Sequence, residues 1–245
     1  MKKKKRFRRW LSNLFLLLLL LVGLVLVFNN QIKNFFIKQT GDAYAVSEIS
    51  RADVEKNMEA DTTFDFDAVE PASSEAVLRA QLSNKVLPVI GGVAIPSVAI
   101  NLPIFKGLSN EALLYGAGTL SPTQQMGEGN YALASHRAQS PELLFTPLDD
   151  VAIGATIYIT DLENIYTYTA TSTVRIEPTD VYVLDEEEGR KMITLITCGE
   201  MGGITRRVVQ GDLQEVTPVA EATSDMLAAF NMGRNGHFNV KDSEW

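Results

Sequence analysis

The residue types needed for nucleophilic catalysis stand at the ends of short apolar runs in this chain. Cys198 and His136 each end such a run, and Arg206 and Arg207 open the run that follows the cysteine. A thiol needs a nearby base or cation to become a thiolate. A developing oxyanion needs a fixed donor, which a guanidinium can supply. These residues therefore predict a cysteine nucleophile with an acid/base partner and an oxyanion stabiliser.

Each residue also has an ordinary structural interpretation, so only their combination argues for chemistry. A lone cysteine is commonly a small buried apolar side chain, and a histidine at a strand end is commonly structural. The second histidine, His237, lies among Asn and Gly residues, where we expect it to be solvated. Since Cys198 is the only cysteine, it offers no disulfide to an exported domain.

The two neighbouring arginines cannot both face the cysteine. Adjacent residues of a strand point to opposite faces of a sheet. Antiparallel pairing of the two runs would bring one of them, Arg206 or Arg207, beside Cys198. The other should then point away from it.

The N-terminus has the composition of a membrane anchor. Residues 1–9 carry seven basic and no acidic side chains, and residues 10–28 are almost uninterruptedly apolar. Nineteen helical residues span about 28 Å, which matches a bilayer core. A cleaved signal peptide has a shorter apolar core of about 7–15 residues, and no small-x-small site follows closely here. We predict an anchor with a cytoplasmic N-terminus and the remaining chain outside the cell.

The region after the predicted anchor is strongly acidic. It holds 15 of the 22 basic residues but all 30 acidic ones. Proteins that bind nucleic acid need a basic surface. The charge balance therefore predicts no nucleic-acid partner.

The pattern of apolar residues changes along the exported region. Residues 29–60 indicate a helical extension and residues 61–74 a linker. From residue 86 onward, the pattern changes to a period of two and short apolar runs, which Gly, Pro, Asn and Asp separate. Seven or eight such strands in about 125 residues predict an all-β closed barrel or sandwich. The predicted strands are 89–95, 97–105, 131–135, 156–160, 165–173, 192–197 and 206–213, with a hairpin turn at 161–164 and helices at 111–115 and within 221–230.

The residues around the candidate site resemble those of class A sortases. Tyr-Ala-Leu-Ala-Ser-His, which ends at His136, is similar to the histidine strand of the family, and Thr-Leu-Ile-Thr-Cys, which ends at Cys198, to its signature. Arg206 stands eight residues after the cysteine and five before Gly211, where streptococcal-type members carry their catalytic arginine. The resemblance therefore favours Arg206 as the inward residue and leaves Arg207 to reach solvent or a surface carboxylate.

The resemblance covers roughly residues 80–215 and the anchor, and it implies an overall organisation. We expect a closed eight-stranded sortase-type β-barrel with short helices, preceded by a transmembrane helix. The predicted parts are a basic cytoplasmic head (1–9), the anchor (10–28), an extracellular helical stalk and linker (29–74), the catalytic barrel (75–215) and a tail of unknown role (216–245).

The resemblance also implies an activity. The thiolate of Cys198 would attack the Thr–Gly bond of a Leu-Pro-x-Thr-Gly sorting signal on a surface protein. His136, as imidazolium, would protonate the leaving amine, and Arg206 would bind the substrate carbonyl and the oxyanion. An amine of a lipid-linked peptidoglycan precursor would then resolve the thioester. The implied substrate-binding positions are Ala134, Val183, Leu184, Thr194, Ile196 and Thr197, although residues of these types also line ordinary barrels.

The sequence departs from calcium-stimulated relatives, which place four acids near the site. Glu128 and Glu186 match two of the positions, but Ser121 and Gln124 occupy the others. Two carboxylates are few for an ion that takes 6–8 oxygen ligands. We therefore expect no metal and no cofactor.

Three other functions compete with this interpretation. A pilus-polymerising sortase would add a C-terminal membrane segment and an Asp-Pro-aromatic lid, and we find neither motif. A cysteine endopeptidase would use water in place of an amine. A non-enzymatic β-domain would bind a wall component and keep Cys198 buried.

Overall fold

The computed structural model describes residues 2–66, 68–83, 85–200 and 202–232, without the side chains of residues 2–6, 8 and 9. The predicted solvation of His237 and the end of the predicted tail, 233–245, lie outside the described residues. So do the side chains of most of the basic head.

The helices and strands follow one another in a simple order. The α-helices are α1 (Lys2–Val27), α2 (Asn29–Ala43), α3 (Arg51–Met58), α4 (Ser74–Ser83), α5 (Asn110–Tyr115) and α6 (Ser224–Ala229). The strands are β1 (Val89–Ile95), β2 (Ile100–Phe105), β3 (Ala117–Thr119), β4 (Asn130–Ala134), β5 (Thr156–Thr160), β6 (Asn164–Ile176), β7 (Met192–Cys198) and β8 (Arg206–Pro218). Short 3-10 helices lie at 46–48, 96–98, 146–150, 181–184 and 219–221.

The eight strands form a closed barrel in the order β1-β2-β3-β4-β7-β8-β6-β5. The fold predicted from the sequence is therefore confirmed. Two of the neighbouring pairs, β2 with β3 and β4 with β7, are parallel, and the others are antiparallel. The barrel interior is filled by large apolar side chains from many strands, among them Ile104, Tyr131, Leu133, Tyr168 and Leu195.

Closure of the barrel depends on a close approach between β1 and β5. A Cβ atom on Gly91 would lie 2.2 Å from the carbonyl oxygen of Thr160. Because that distance is far inside van der Waals contact, only glycine allows the two backbones to pair here.

Two features of the barrel were not predicted. β3 has only three residues and was not recognised, since so short a segment shows no alternation. It is held by parallel pairing of Ile104 with Ala117 and antiparallel pairing of Gly118 with Ala134. In addition, β6 and β8 extend as a long antiparallel ribbon beyond the predicted ranges.

The first two helices, α1 and α2, differ in their surroundings. Residues Trp10–Val27 of α1 are long and apolar enough to cross a membrane, which fits a membrane-anchored protein. α2 packs on the barrel side through Ile37 and Gly41, and a Cβ on Gly41 would meet the carbonyl oxygen of Tyr115 at 2.7 Å. A stripe at helical spacing on α2 and its N-cap stays exposed, formed by Phe28, Ile32, Phe35 and Phe36.

The beginning of the predicted C-terminal tail is packed against the barrel. The hydroxyl of Thr223 accepts a hydrogen bond from the backbone N–H of Met226 and so caps α6. Met226 and Phe230 are buried in a cluster with Val46 and Ile165. Residues 224–230 therefore belong to the folded unit.

Candidate active site

Cys198 and Arg206 occupy facing ends of β7 and β8. The antiparallel register pairs Cys198 with Arg206 and Thr197 with Arg207. Because directly paired residues of a ladder project to the same face, the thiol and the guanidinium of Arg206 start from one face of the sheet. Arg207 starts from the other.

Gly203 lies between the two functional groups. A Cβ on this glycine would lie 3.7 Å from the Cys198 sulfur and 3.5 Å from Nη1 of Arg206. Its φ of +67° is in the left-handed region that favours glycine. Nη1 of Arg206 donates to the carbonyl oxygens of Gly203 (2.7 Å) and Thr205 (3.2 Å). The guanidinium is thus held close to the thiol by backbone acceptors.

The loop between β7 and β8 is tied together at its base. The N–H of Gly199 donates to the carbonyl oxygen of Thr205 at 2.8 Å. The carboxylate of Glu200 accepts from both the N–H (2.6 Å) and the hydroxyl (2.7 Å) of Thr205, and these bonds hold the pKa of Glu200 below its usual range. The loop that follows Cys198 is therefore closed by specific hydrogen bonds.

His136 reaches the same end of the barrel from β4. β4 is parallel to β7, with Ala134 paired to Ile196, and the N–H of Ser135 continues the pattern by donating to the carbonyl oxygen of Ile196 at 3.1 Å. His136 stands two residues after Ala134, and Cys198 stands two residues after Ile196. The period of two therefore directs both toward the same face.

Burial determines the protonation state of His136. The residue is only 8% exposed, and its Nε2 atom is buried without a hydrogen-bond partner in the described part of the chain. Burial lowers the pKa of His136 to about 4 because the charged imidazolium loses its hydration. At neutral pH the ring is therefore neutral and able to accept a proton.

The apolar positions expected to bind substrate lie next to the cysteine strand. Val183 and Ile196 are buried in one cluster with Val208, and Leu184 and Ile176 pack against it while partly exposed. Ala134 belongs to a neighbouring cluster with Leu108 and Leu113. Because Ala134 is paired with Ile196, these two side chains project to the same face of the β4–β7 pair.

A polar network fixes the 3-10 helix at 181–184, which carries two of the apolar positions. The side-chain amide of Asn130 donates to the carbonyl oxygens of Val183 (2.9 Å) and Asp185 (3.1 Å). The hydroxyl of Thr194 donates to Oδ1 of Asn130 at 2.7 Å, and Gln210 donates to that hydroxyl at 3.2 Å. Thr194 is 0% exposed. Because Ile193 and Leu195 fill the barrel interior, Thr194 lies on the outer face of β7, and its hydroxyl supports the 181–184 segment from there.

Thr197 is also buried, on the opposite face of β7 from the thiol. It is 2% exposed, and its hydroxyl lacks a hydrogen-bond partner in the described part of the chain. Thr197 is therefore the neighbour of Cys198 along β7, and its side chain points to the opposite face from the thiol.

Arg207 was expected to reach solvent or a surface carboxylate, but it is largely buried. It reaches a carboxylate, that of Asp149, with Nε 3.6 Å from Oδ1, but its side chain is only 14% exposed. Nη2 also donates to the carbonyl oxygen of Asp149 (3.2 Å) and to the hydroxyl of Thr173 (2.8 Å). Arg207 is therefore built into the fold and is not a free surface residue.

Sequence reasoning missed a group of charged residues behind the cysteine. Arg137 and Arg175 both form ion pairs with Asp149. Arg137 could have been noticed because it directly follows His136. No pattern in the sequence connects it to Asp149 or Arg175, since only folding brings the three segments together.

The two acids that match calcium-stimulated relatives have other neighbours. Glu128 accepts a hydrogen bond from Nζ of Lys191 at 2.7 Å. The carboxyl group of Glu186 lies against Gly129, where a Cβ would approach it to 2.7 Å. Within the described residues there is no cluster of three or more His, Cys, Asp or Glu side chains arranged to hold a metal ion.

Comparison with known proteins identifies the family to which the sequence belongs. A family model described as a sortase domain matches residues 93–214. The chain is 42% identical to sortase A of Streptococcus agalactiae serotype III over 246 residues, which cover 96% of this chain and 98% of that relative. The chain belongs to the sortase family. This sortase is also 40% identical to sortase A of Listeria monocytogenes, over 81% of this chain and 90% of the relative.

A solved structure of Listeria monocytogenes sortase A has the same fold. It superposes with a TM-score of 0.54 at 40% identity and covers 58% of this chain and 96% of that chain. This sortase is therefore a cysteine transpeptidase that anchors surface proteins, and its apolar N-terminal helix fits a membrane-anchored enzyme.

Proposed function

We propose that this sortase cleaves the Thr–Gly bond of Leu-Pro-x-Thr-Gly signals with Cys198 as nucleophile, His136 as acid/base and Arg206 as oxyanion stabiliser. The observation that carries the proposal is the direct pairing of Cys198 with Arg206 at the end of β7, beside the strand that leads into His136. This arrangement supports the proposal that a nucleophile, a base and a fixed donor act together at one edge of the barrel.

The first step forms an acyl-enzyme. Neutral His136 accepts the proton of the Cys198 thiol as the sulfur attacks the threonine carbonyl carbon, and the carbonyl oxygen becomes an oxyanion near Arg206. The C–N bond then breaks, and His136 returns its proton to the leaving glycine amine. The low pKa of about 4 favours this return of the proton, and by the same amount makes uptake of the thiol proton the harder of the two transfers.

The second step reverses the roles with a new amine. The incoming amine attacks the thioester carbonyl, His136 removes a proton from it, and the thiolate of Cys198 leaves and is reprotonated. We propose the amine of a lipid-linked peptidoglycan precursor as this acceptor. Such a precursor lies at the membrane, where α1 and the exposed stripe on α2 (Phe28, Ile32, Phe35 and Phe36) would hold the enzyme.

The apolar surface beside β7 suits the Leu-Pro portion of the signal. Val183, Leu184, Ile196 and Ala134 provide aliphatic contact area, and burial of a leucine side chain stabilises a complex by about 1.5–3 kcal/mol. Thr194 would act indirectly, by holding the 181–184 segment, and Thr197 by packing behind the nucleophile.

Incubation of the full chain with a Leu-Pro-x-Thr-Gly peptide and an amine-bearing peptide tests the proposal. We expect a thioester on Cys198, visible by mass spectrometry, and a transfer product whose amount depends on the amine. Cys198→Ala should form neither product while keeping the thermal unfolding midpoint of the parent.

A matched peptide with Ala-Ala in place of Leu-Pro serves as the control for specificity. Equal turnover of the two peptides would overturn the proposed signal. Transfer by Cys198→Ala would overturn the proposed nucleophile. Release of the acyl group by water alone, at a rate that amines do not change, would overturn the proposed acceptor.

A further inference from the structure

A cluster of charged side chains lies behind the strand end that carries Cys198. The carboxylate of Asp149 accepts from Nη2 of Arg137 through Oδ2 and from Nη2 of Arg175 (3.1 Å) through Oδ1, and Nε of Arg207 lies 3.6 Å from Oδ1. One carboxylate thus pairs with three guanidinium groups that come from the end of β4, from β6 and from β8. The cluster joins the segments that carry His136 and Cys198.

Two of these arginines also hold consecutive carbonyl groups at the nucleophile. Nε of Arg137 donates to the carbonyl oxygen of Cys198 at 2.6 Å, and Nη1 of Arg175 donates to that of Gly199 at 2.8 Å. Both arginines therefore bridge from Asp149 to the backbone at which β7 ends. These bonds fix the orientation of the peptide groups on the C-terminal side of Cys198.

The third arginine fixes Asp149 itself. Asp149 lies in the 3-10 helix at 146–150, and Arg207 donates to the carbonyl oxygens of Leu148 and Asp149, each at 3.2 Å. Since Arg207 is the neighbour of Arg206 on β8, the short helix is docked against the same strand that carries the proposed oxyanion donor. The carboxylate is thereby held in place relative to both strands.

The negative charge of Asp149 is needed to hold the positively charged guanidinium groups close together. The side chains of Arg137 and Arg207 are only 12% and 14% exposed, so water screens their mutual repulsion poorly. Charge-assisted hydrogen bonds to a carboxylate are short and strong and fix the guanidinium orientation. Without the negative charge, Arg137 would lose its pair with Asp149 and Arg175 would keep only its longer pair with Glu200 (3.6 Å), so the guanidiniums that bond to the Cys198 and Gly199 carbonyls would lose their common anchor.

We propose that Asp149 is a positioning residue for the nucleophile, which sets the direction of the Cys198 thiol through Arg137 and Arg175. The inference rests on the proposed role of Cys198. The geometry of attack is sensitive, because a displacement of about 1 Å can lower a rate by about a hundredfold. Among the described residues, the hydrogen bonds of the cluster do not include Val183 or Ile196, so we expect the cluster to affect kcat and not KM.

The test compares Asp149→Asn with Asp150→Asn in the full chain. Asp150 is the exposed neighbour on the same short helix, so its variant removes the same charge without touching the arginines. For acyl-enzyme formation on a Leu-Pro-x-Thr-Gly peptide, we expect Asp149→Asn to lower kcat about tenfold to a hundredfold with KM unchanged. Asp150→Asn should match the parent, and Asp149→Glu should recover part of the lost kcat.

Two further measurements separate positioning from folding. The fraction of folded enzyme is measured by thermal unfolding and used to correct each kcat. Arg175→Gln provides a second variant, since its side chain is 47% exposed and its loss leaves the Arg137–Asp149 pair intact. We expect it to lower kcat several-fold, again without a change in KM.

The outcomes distinguish this inference from the proposed function. A corrected kcat of Asp149→Asn within twofold of the parent, or an unchanged kcat in Arg175→Gln, would overturn the positioning role. A rise in KM without a fall in kcat would also overturn it. If the parent itself forms no thioester on Cys198, the proposed function fails instead.

Discussion

Cys198 and Arg206 are paired directly across the last position of the β7–β8 ladder. The guanidinium of Arg206 donates to Gly203 and Thr205, and Gly203 lies beside the thiol. Arg207, one residue further, is paired with Thr197 and turns to Asp149. Two adjacent arginines therefore have different contacts because a strand alternates its faces.

The first prediction concerns Arg206. Its replacement by Ala should lower kcat about 10²–10³-fold, as is typical when one oxyanion donor is removed. Arg206→Lys should also be strongly impaired, because a point charge lacks the forked donor geometry. Acyl-enzyme formation by rapid quench measures both effects. Arg79→Ala, on the exposed face of α4, is the control; near-parent rates in both Arg206 variants would contradict the assignment.

The structure changes what we expect of Arg207→Ala. An exposed arginine could be replaced at a cost within about ±0.5 kcal/mol. Because Arg207 is only 14% exposed and docks the 146–150 helix to β8, its loss should lower the free energy of unfolding by about 1–3 kcal/mol. Chemical denaturation measures this directly. An unfolding free energy equal to that of the parent would contradict the docking role.

The second prediction concerns pH and His136. An unfolded histidine titrates near 6.5, whereas burial lowers the pKa of His136 to about 4 in the folded state. Between these pH values the unfolded chain holds the extra proton, so the free energy of unfolding should fall as pH is lowered from about 6.5 to about 4. This loss amounts to about 3 kcal/mol at complete titration.

Comparison with His136→Gln isolates this contribution from those of the carboxylates. Denaturation curves for the parent and the variant are measured across the window. The difference between their unfolding free energies should shift by most of that amount, in favour of the variant at low pH. Parallel curves would show that His136 has an ordinary pKa in the folded protein.

The third prediction concerns the network under the 181–184 segment. Thr194→Val keeps the side-chain shape but removes the hydroxyl that donates to Oδ1 of Asn130. Leaving this buried acceptor unpaired costs about 1–3 kcal/mol, and we expect this to loosen the segment that Asn130 holds. KM for the sorting peptide should rise more than kcat falls. Thr171→Val, an exposed position on β6, is the control, and an unchanged KM in Thr194→Val would count against the indirect role.

The fourth prediction concerns topology. The basic head followed by the apolar part of α1 predicts a cytoplasmic N-terminus and an external barrel. Protease added to intact protoplasts should therefore degrade the barrel and leave a short membrane-bound fragment. A cytoplasmic protein detected in the same samples controls for lysis. Full protection of the barrel while the protoplasts stay intact would reverse the orientation.

The sequence alone determined most of the fold. A period of two and short apolar runs located seven of the strands, and β1 and β5 were found with their observed bounds. The apolar runs belong to β1, β4 and β7, which are buried on both faces. The helices expected at 111–115 and within 221–230 are also present as α5 and α6, and in the structure Ser109 and Thr223 cap them. The apolar run of α1 could be recognised from composition and length.

The tertiary structure decided how these elements meet. The sequence could not reveal β3, whose three residues exist as a strand only through pairing with β2 and β4. It also could not reveal the low pKa of His136, because burial arises from segments distant in the chain. The Asp149 cluster is the strongest example: its residues at 137, 149, 175 and 207 carry no common motif, and only closure of the barrel brings their charges to the backbone of Cys198.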